Sequence, residues 1–446
     1  MDAGLVYEGG INMVNEMENK ETAYDEPIFK VPKKKRTTFF LILYGLFIVD
    51  FIARVGINAI FPIIQGDLHF TDAQMGSLAS IVLFGMAVFV LPVAFIGEKY
   101  STKKLITISA FVWGIGSFIS GAASNFIALI TSRFLVGTGN SAYAPLSTSM
   151  ITSMYKKSEW GQKIGIYNTA IAVGSAAGAL IFAYIARTFG WRYAFYGVGT
   201  VTLILAFASF YLVDVKKELG GNTAESNNNN VTIKKAFSIV AKKKALLGMC
   251  FGAGLGSLGL QAVLAFASIF FVRIMNMDVA KAATIISIMS LTAIIFYPLG
   301  GIITDKWYKK DKRSRAWLPA VCFATSAICL VTGFSYQSLI LITVGVICYP
   351  MCTTAVHTAT QELVPATYKA ISYSIWVLFV QLGGAFGPIT TGYLSDAIGL
   401  KSALVIVQIA FVVGMIVFLL SGRKYLKDFY QAREEEQIEL YNANAQ

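Results

Sequence analysis

The sequence predicts an all-α membrane protein of twelve transmembrane helices in two pseudo-symmetric halves of six, and three observations predict it. Hydrophobic residues make up 56% of the 446 and charged residues only 14%, too few to cover a soluble surface. The mean hydropathy is +0.62. Apolar runs of about 20 residues, the length that crosses hydrocarbon, recur along the whole chain, and the widest polar break divides them six and six.

Read in order, the runs place helices at 39–61, 75–97, 104–123, 126–150, 163–186, 193–213, 246–271, 281–303, 316–334, 337–359, 370–391 and 402–421. Residues 1–38 form a polar N-terminal tail, acidic and then basic at Lys33-Lys34-Lys35-Arg36. The run from Phe39 is too long for a signal h-region and lacks a small-residue cleavage site, so it is expected to stay as a start-transfer helix. Residues 39–213 form the first half, 214–245 a polar linker with Asn227–Asn230, 246–421 the second half and 422–446 a C-terminal tail.

Orientation follows from the basic residues, which gather in alternate loops. One side carries Lys33–Arg36, Lys99, Lys103, Lys104, Lys156, Lys157, the linker lysines, Lys306 to Arg315 and Arg423 to Lys427. The other has Arg187, Arg192, Arg273, Lys281 and Lys401. Both termini and the linker are expected on the cytoplasmic side of a cell membrane. The same placement explains the net charge of +12 without nucleic acid. The five cysteines all fall inside apolar runs and read as buried thiols. Cys348 and Cys352 share a helix face, but no nearby His or acid completes a metal set. No Ser/His/Asp, metal or nucleotide constellation appears, and two histidines offer little acid–base chemistry, so an enzyme is not expected. His357 reads as a buried histidine bonded to a carbonyl, and His69 falls in an outer loop. Gly254-Leu-Gly256-Ser-Leu-Gly259 matches a dinucleotide-type glycine pattern, but it lies inside an apolar helix and reads as a packing surface.

The halves repeat. Gly174-x3-Gly178 with Gly190 recurs as Gly383-x3-Gly387 with Gly399, an offset of 209 residues. Glu98-Lys99 recurs as Asp305-Lys306, an offset of 207. Parallel six-helix repeats are a transporter architecture, with the site at mid-membrane between the halves.

With these residues in view, the chain from about 39 to 421 resembles the major facilitator superfamily. Gly97-Glu98-Lys99 through Lys103, and Gly301-Ile-Ile-Thr-Asp305-Lys306, resemble its loop signature after the second and eighth helices. Arg133-x3-Gly137-x-Gly139 resembles its fourth-helix motif, and Gly190-Trp191-Arg192 a common start of the sixth helix. Arg54-x7-Pro62 with Gly139-Asn-Ser-Ala-Tyr143 is most similar to the spinster-like and anion:cation symporter groups. Both usually carry an acid before that Arg and a Glu after that Gly; here Ala53 and Asn140 stand there, and the acid is Asp50, one turn earlier. The resemblance implies proton-coupled, alternating-access uptake of a small organic anion such as a carboxylate. It implies no cofactor, a proton gradient as driving force, a lipid bilayer as surroundings and function as a monomer. Alternatives are a spinster-like lipid or lysolipid carrier, a drug or metabolite exporter, and a solute sensor. Ala179 stands where drug/proton antiporters carry Pro, and the linker and tail are too short for a signalling domain.

Charged residues within the bilayer are costly and point to function. Arg54 and Arg133 lie at matching depth, roughly 10–12 Å below the outer ends of the first and fourth helices at 1.5 Å per residue. A guanidinium forks onto a carboxylate, so both are candidate substrate ligands. Asp50, at i,i+4 from Arg54, can reach either arginine and is the candidate proton carrier. The competing reading is a structural ion pair between the two helices. Asn140, Tyr143, Gln261 and Gln381 are polar residues able to orient a solute or to bond neighbouring helices. Glu98, Lys99, Asp305 and Lys306 are the gating candidates that the resemblance implies.

Overall fold

The computed structural model describes residues 31–156, 159–212, 243–365 and 368–444. Among them the long elements are all helical. The first half comprises α1 (Lys33–Ala59), a short α2 (Phe61–Leu68), α3 (Asp72–Lys99), α4 (Thr102–Ala122), α5 (Phe126–Met154), α6 (Trp160–Thr188) and α7 (Trp191–Ala208). The second comprises α8 (Lys244–Arg273), α9 (Val279–Tyr308), α10 (Ser314–Ser335), α11 (Leu339–Glu362), α12 (Lys369–Ile398), α13 (Leu400–Val407) and α14 (Ile409–Asn444). The last two form one span broken at Gln408, where the backbone tightens into an i→i+3 turn.

Several helices start where the sequence supplies an acceptor for orphan amides. Thr71 and Gln74 make a reciprocal capping box on α3, Asn125 accepts from Ala128 at the head of α5, and Asp278 accepts from Ala280 at the head of α9. Gly190 (φ 99°) and Gly399 (φ 86°) break α6 from α7 and α12 from α13 in a left-handed conformation that a Cβ resists. These are the two glycines that repeat in sequence, and they make the same bend.

Among the described residues, eleven helices are long and apolar enough to cross a membrane on their own composition. The remaining long helix, α5, carries Arg133, Asn140 and a string of Ser and Thr, and it packs along α3 and α4 inside the bundle. The packing repeats between halves: α1 on α6 and α8 on α12, α4 on α5 and α10 on α11, α3 on α5 and α9 on α11. The halves meet along α3 against α12 and α6 against α9, each pair the counterpart of the other.

That seam is closed at the face opposite the termini, here called distal. Arg273 of α8 grips Asp72 of α3 with both arms, at 2.7 and 2.8 Å, and Gln65 and Ser395 also donate to that carboxylate. Asp396, in the last turn of α12, accepts the first two amides of α3, Asp72 and Ala73, each at 3.0 Å. One half thus caps a helix of the other. Arg187 of α6 pairs with Asp278 at 2.8 Å, and the Ser268 hydroxyl donates to the Asn58 carbonyl. Within the first half, Trp191 and Arg192 both donate to Asp67 and hold its carboxyl below the usual range.

Two segments differ from the expectation. The stretch expected as a C-terminal tail from residue 422 continues α14 as helix to Asn444. Tyr425, Phe429 and Ala432 are buried, Glu435 pairs with the buried Lys243 at 2.9 Å, and Asp428 accepts the Ala245 amide at 2.7 Å. The helix persists because it has an apolar stripe to bury and caps the start of α8. The distal loop after α1 holds the short α2, begun by Pro62 near its head, where the first span was expected to extend to 61. The expected linker lies mostly outside the described residues, as does most of the N-terminal tail.

Candidate functional site

The site is built where α1, α3, α8 and α12 meet. Asp50 is buried on α1 and accepts a hydrogen bond from Asn140 Nδ2 of α5. Its other oxygen lies 3.6 Å from the Arg54 guanidinium, one turn along. Arg54 is the more open partner, with 18% of its side chain exposed. Its guanidinium lies over the Phe51 ring at 4.0 Å, a cation–π contact, and donates to Met86 Sδ of α3 at 3.4 Å. Gln381 of α12 reaches the same sulfur from the other half at 3.5 Å. A few residues along α12, Gly384 lies against Ser257 and Gln261 of α8 and Leu83 of α3. Arg54, Gln261 and Gln381 therefore converge on the seam between the halves.

Arg133 and Tyr143 are placed differently. Arg133 is 1% exposed, donates to the Ala53 carbonyl at 3.4 Å, and its Nε and NH1 find no hydrogen-bond partner among the described residues. Its guanidinium lies 5.8 Å from the Phe195 ring, within the first half. The Asp50 ion pair is with Arg54; Arg133 holds α5 to the α1 backbone. Tyr143 is also 1% exposed, packs edge-on to Trp113 at 5.0 Å, and donates to the Leu43 carbonyl. In this conformation its hydroxyl is spent between helices. A helical repeat gives the spacing of residues 133, 140 and 143, but not which neighbour covers each.

At the terminal face, Asp305 pairs with Arg315 at 3.1 Å. Arg315 also reaches Glu362 at 3.2 Å, and Glu362 accepts the Tyr425 hydroxyl at 3.0 Å. This chain links α9, α10, α11 and α14. Lys306 is exposed beside it. The side chains of Glu98 and Lys99 lie outside what the structure describes.

Sequence reasoning missed Met86 and Phe51, which carry no charge to single them out. It also missed Asp72, Asp396 and Glu362, and it read Arg273 and Arg315 as topology signals only. A sign was present: acids standing at helix ends in otherwise basic or neutral loops are candidates for trans caps. The glycines of 254–259 lie against Phe379, Phe323 and Phe411, so the pattern is a packing surface.

A family model described as the Major Facilitator Superfamily matches residues 43–388. The hexuronate transporter of Bacillus subtilis (strain 168) is 24% identical over 378 residues, covering 81% of this chain and 87% of that protein. A Cupriavidus necator protein named probable sulfoacetate transporter is 21% identical over 377 residues, 79% of this chain and 86% of its own. The crystal structure of a bacterial homolog of the human lysosomal transporter Spinster, inward-facing and unoccupied, matches with a TM-score of 0.79 at 20% identity. That match covers 89% of this chain and 99% of the other. The repeated helices, the seam between halves and the matched family model lead to one conclusion: this chain is a multi-pass membrane transport protein, not an enzyme, and belongs to the Major Facilitator Superfamily.

Proposed function

We propose that this transporter carries a small organic anion together with protons, with Arg54 as the anion ligand and Asp50 as the proton carrier. The observation that carries the reading is the unequal pair on α1. Asp50 is buried and held by Asn140, while Arg54 is partly open and shares the Met86 sulfur with Gln381 of the other half. A guanidinium so placed can fork onto a carboxylate or sulfonate, and protonating Asp50 releases it from its internal partner. The relatives named for hexuronate and sulfoacetate, both anions, support the same class. Gln261 and Gln381 would orient the solute, and Asn140 would hold Asp50. With the termini in the cytoplasm of a cell membrane, the closed distal face would be the outer one. Asp305 with Arg315, and Lys306, Glu98 and Lys99 beside their helix ends, would act on the opposite gate, and a single chain suffices for transport.

The test is uptake of a solute library into proteoliposomes, with and without an imposed pH gradient. Accumulation of anions that follows the gradient is expected. Accumulation of neutral or cationic solutes alone, or anion uptake indifferent to pH, would overturn the reading.

A further inference from the structure

His357, near the terminal end of α11, is not the buried, carbonyl-bonded histidine that its apolar run suggested. It is exposed, and its ring makes no hydrogen bond among the described residues. Instead it packs against two rings of α12, Tyr373 at 4.9 Å and Trp376 at 5.6 Å, which lie 5.4 Å from each other. Tyr373 is 39% exposed, and its hydroxyl too has no partner among the described residues. Trp376 Nε1 is buried without an acceptor. Both exposed rings face the space between the halves. Pro350 and Val346, about two and three turns before His357 on the same stripe of α11, line the cavity between α6 of the first half and α8, α9 and α11 of the second. Gly384, about three turns beyond Tyr373 on the same stripe of α12, lies against Gln261 of α8 and Leu83 of α3. The carboxylates of the terminal face, Asp305 and Glu362, are engaged by Arg315. Two exposed rings thus offer unspent polar groups to the space between the halves, with a third ring behind them.

We infer that His357 and Tyr373, backed by Trp376, form a second anion station on the terminal side of the site at Arg54. The imidazole N–H and the phenol O–H donate to a carboxylate or sulfonate, and the rings give its carbon skeleton a flat apolar face. His357 lies about 27 Å from the distal end of α11 at 1.5 Å per residue, against roughly 10–12 Å for Arg54 on α1. The ligand class rests on the anion reading; the station adds a separate point at which the anion is held near the terminal compartment.

The experiment follows carbethoxylation of His357 by diethylpyrocarbonate in the full chain in nanodiscs, which leave both faces open to the reagent. The chain has two histidines, so mass spectrometry of its peptides reads His357 with His69 as an internal control. His357 should react when no anion is added. Sulfoacetate and galacturonate should each protect it, neutral galactitol should not, and His69 should be unaffected. Tyr373→Phe keeps the ring contacts but loses the hydroxyl, and should raise the anion concentration for half-protection about fivefold, the loss of one hydrogen bond. Arg54→Lys should leave that concentration unchanged. An unreactive His357, no protection by either anion, equal protection by galactitol, or half-protection unmoved by Tyr373→Phe overturns the station. So does protection weakened about tenfold or more by Arg54→Lys, which would place the anion at Arg54 alone and leave the anion reading standing. If Arg54→Lys alters neither protection nor gradient-driven anion uptake, the station stands and the assignment of the anion to Arg54 falls.

Discussion

Asp50 and Arg54 are one helical turn apart, yet the transport reading requires opposite behaviour from them. Arg54→Lys keeps the charge but loses the planar fork, and should weaken binding of a carboxylate by about tenfold or more. Asp50→Asn mimics the protonated acid, and should keep binding and exchange while losing accumulation driven by pH. Paired measurements of affinity, counterflow and gradient-driven uptake separate the two, and equal loss of expression in both variants would make the pair structural. Both residues were legible because a charge within an apolar run must be explained by the site it serves. Their surroundings were not legible. Arg133 sits on a comparably deep turn of α5 but is enclosed by α1 and Phe195, and Tyr143 is turned onto the Leu43 carbonyl. Periodicity assigns a residue to a helix face, whereas the choice between cavity and partner helix is made by tertiary packing. Met86 shows the converse: a neutral side chain becomes part of the site only because Arg54 and Gln381 approach it from two halves.

At the scale of helices, small residues decide which contacts are permanent and which are remade during transport. A Cβ on Gly383 would run into the Gly254 carbonyl, at the crossing of α12 and α8 within one half. A Cβ on Gly76 would run into the Pro388 carbonyl, at the seam between halves. Gly383→Ala should therefore destabilise the fold by about 1–3 kcal/mol, the usual cost of overpacking. Gly76→Ala can be relieved by parting α3 from α12, so it should leave thermal stability nearly unchanged and expose the distal end of the seam. Unfolding in detergent and labelling of a cysteine placed at Ala73 distinguish the two outcomes; equal melting losses with no change in labelling would refute the division. The spans themselves were readable because hydrocarbon demands a fixed length of apolar chain, and the glycines at 190 and 399 marked matching breaks. The helical course of α14 beyond residue 422 was not readable. Its charges resemble a solvated tail, and its order depends on Lys243 and the Ala245 amide nearly 190 residues away in sequence.

For the whole molecule, the duplication seen in sequence reappears as equivalent packing, and the alternation of basic loops sets how the bundle should sit in a membrane. A cysteine at Ser124, exposed on the distal face, should react with an impermeant reagent added outside cells. One at Asn228 should react only after permeabilisation, and the reverse pattern would invert the molecule. The distal closure has a kinetic and energetic consequence. Opening it breaks the two-armed Arg273–Asp72 contact and the Asp396 cap on α3. Charge-assisted bonds contribute about 1.5–3 kcal/mol each, so two such contacts favour closure by about 3 kcal/mol or more. At that gap fewer than about one molecule in a hundred stands ready to accept solute from the distal side, and apparent affinity there is weakened by the same factor of about 100. Solute approaching from the terminal side bears no such penalty. The protein is therefore expected to present unequal affinities to its two compartments while using one set of binding residues. Arg273→Gln should strengthen apparent affinity measured from the distal side alone; an equal change on both sides would mean that the contact acts on the pocket rather than on the populations.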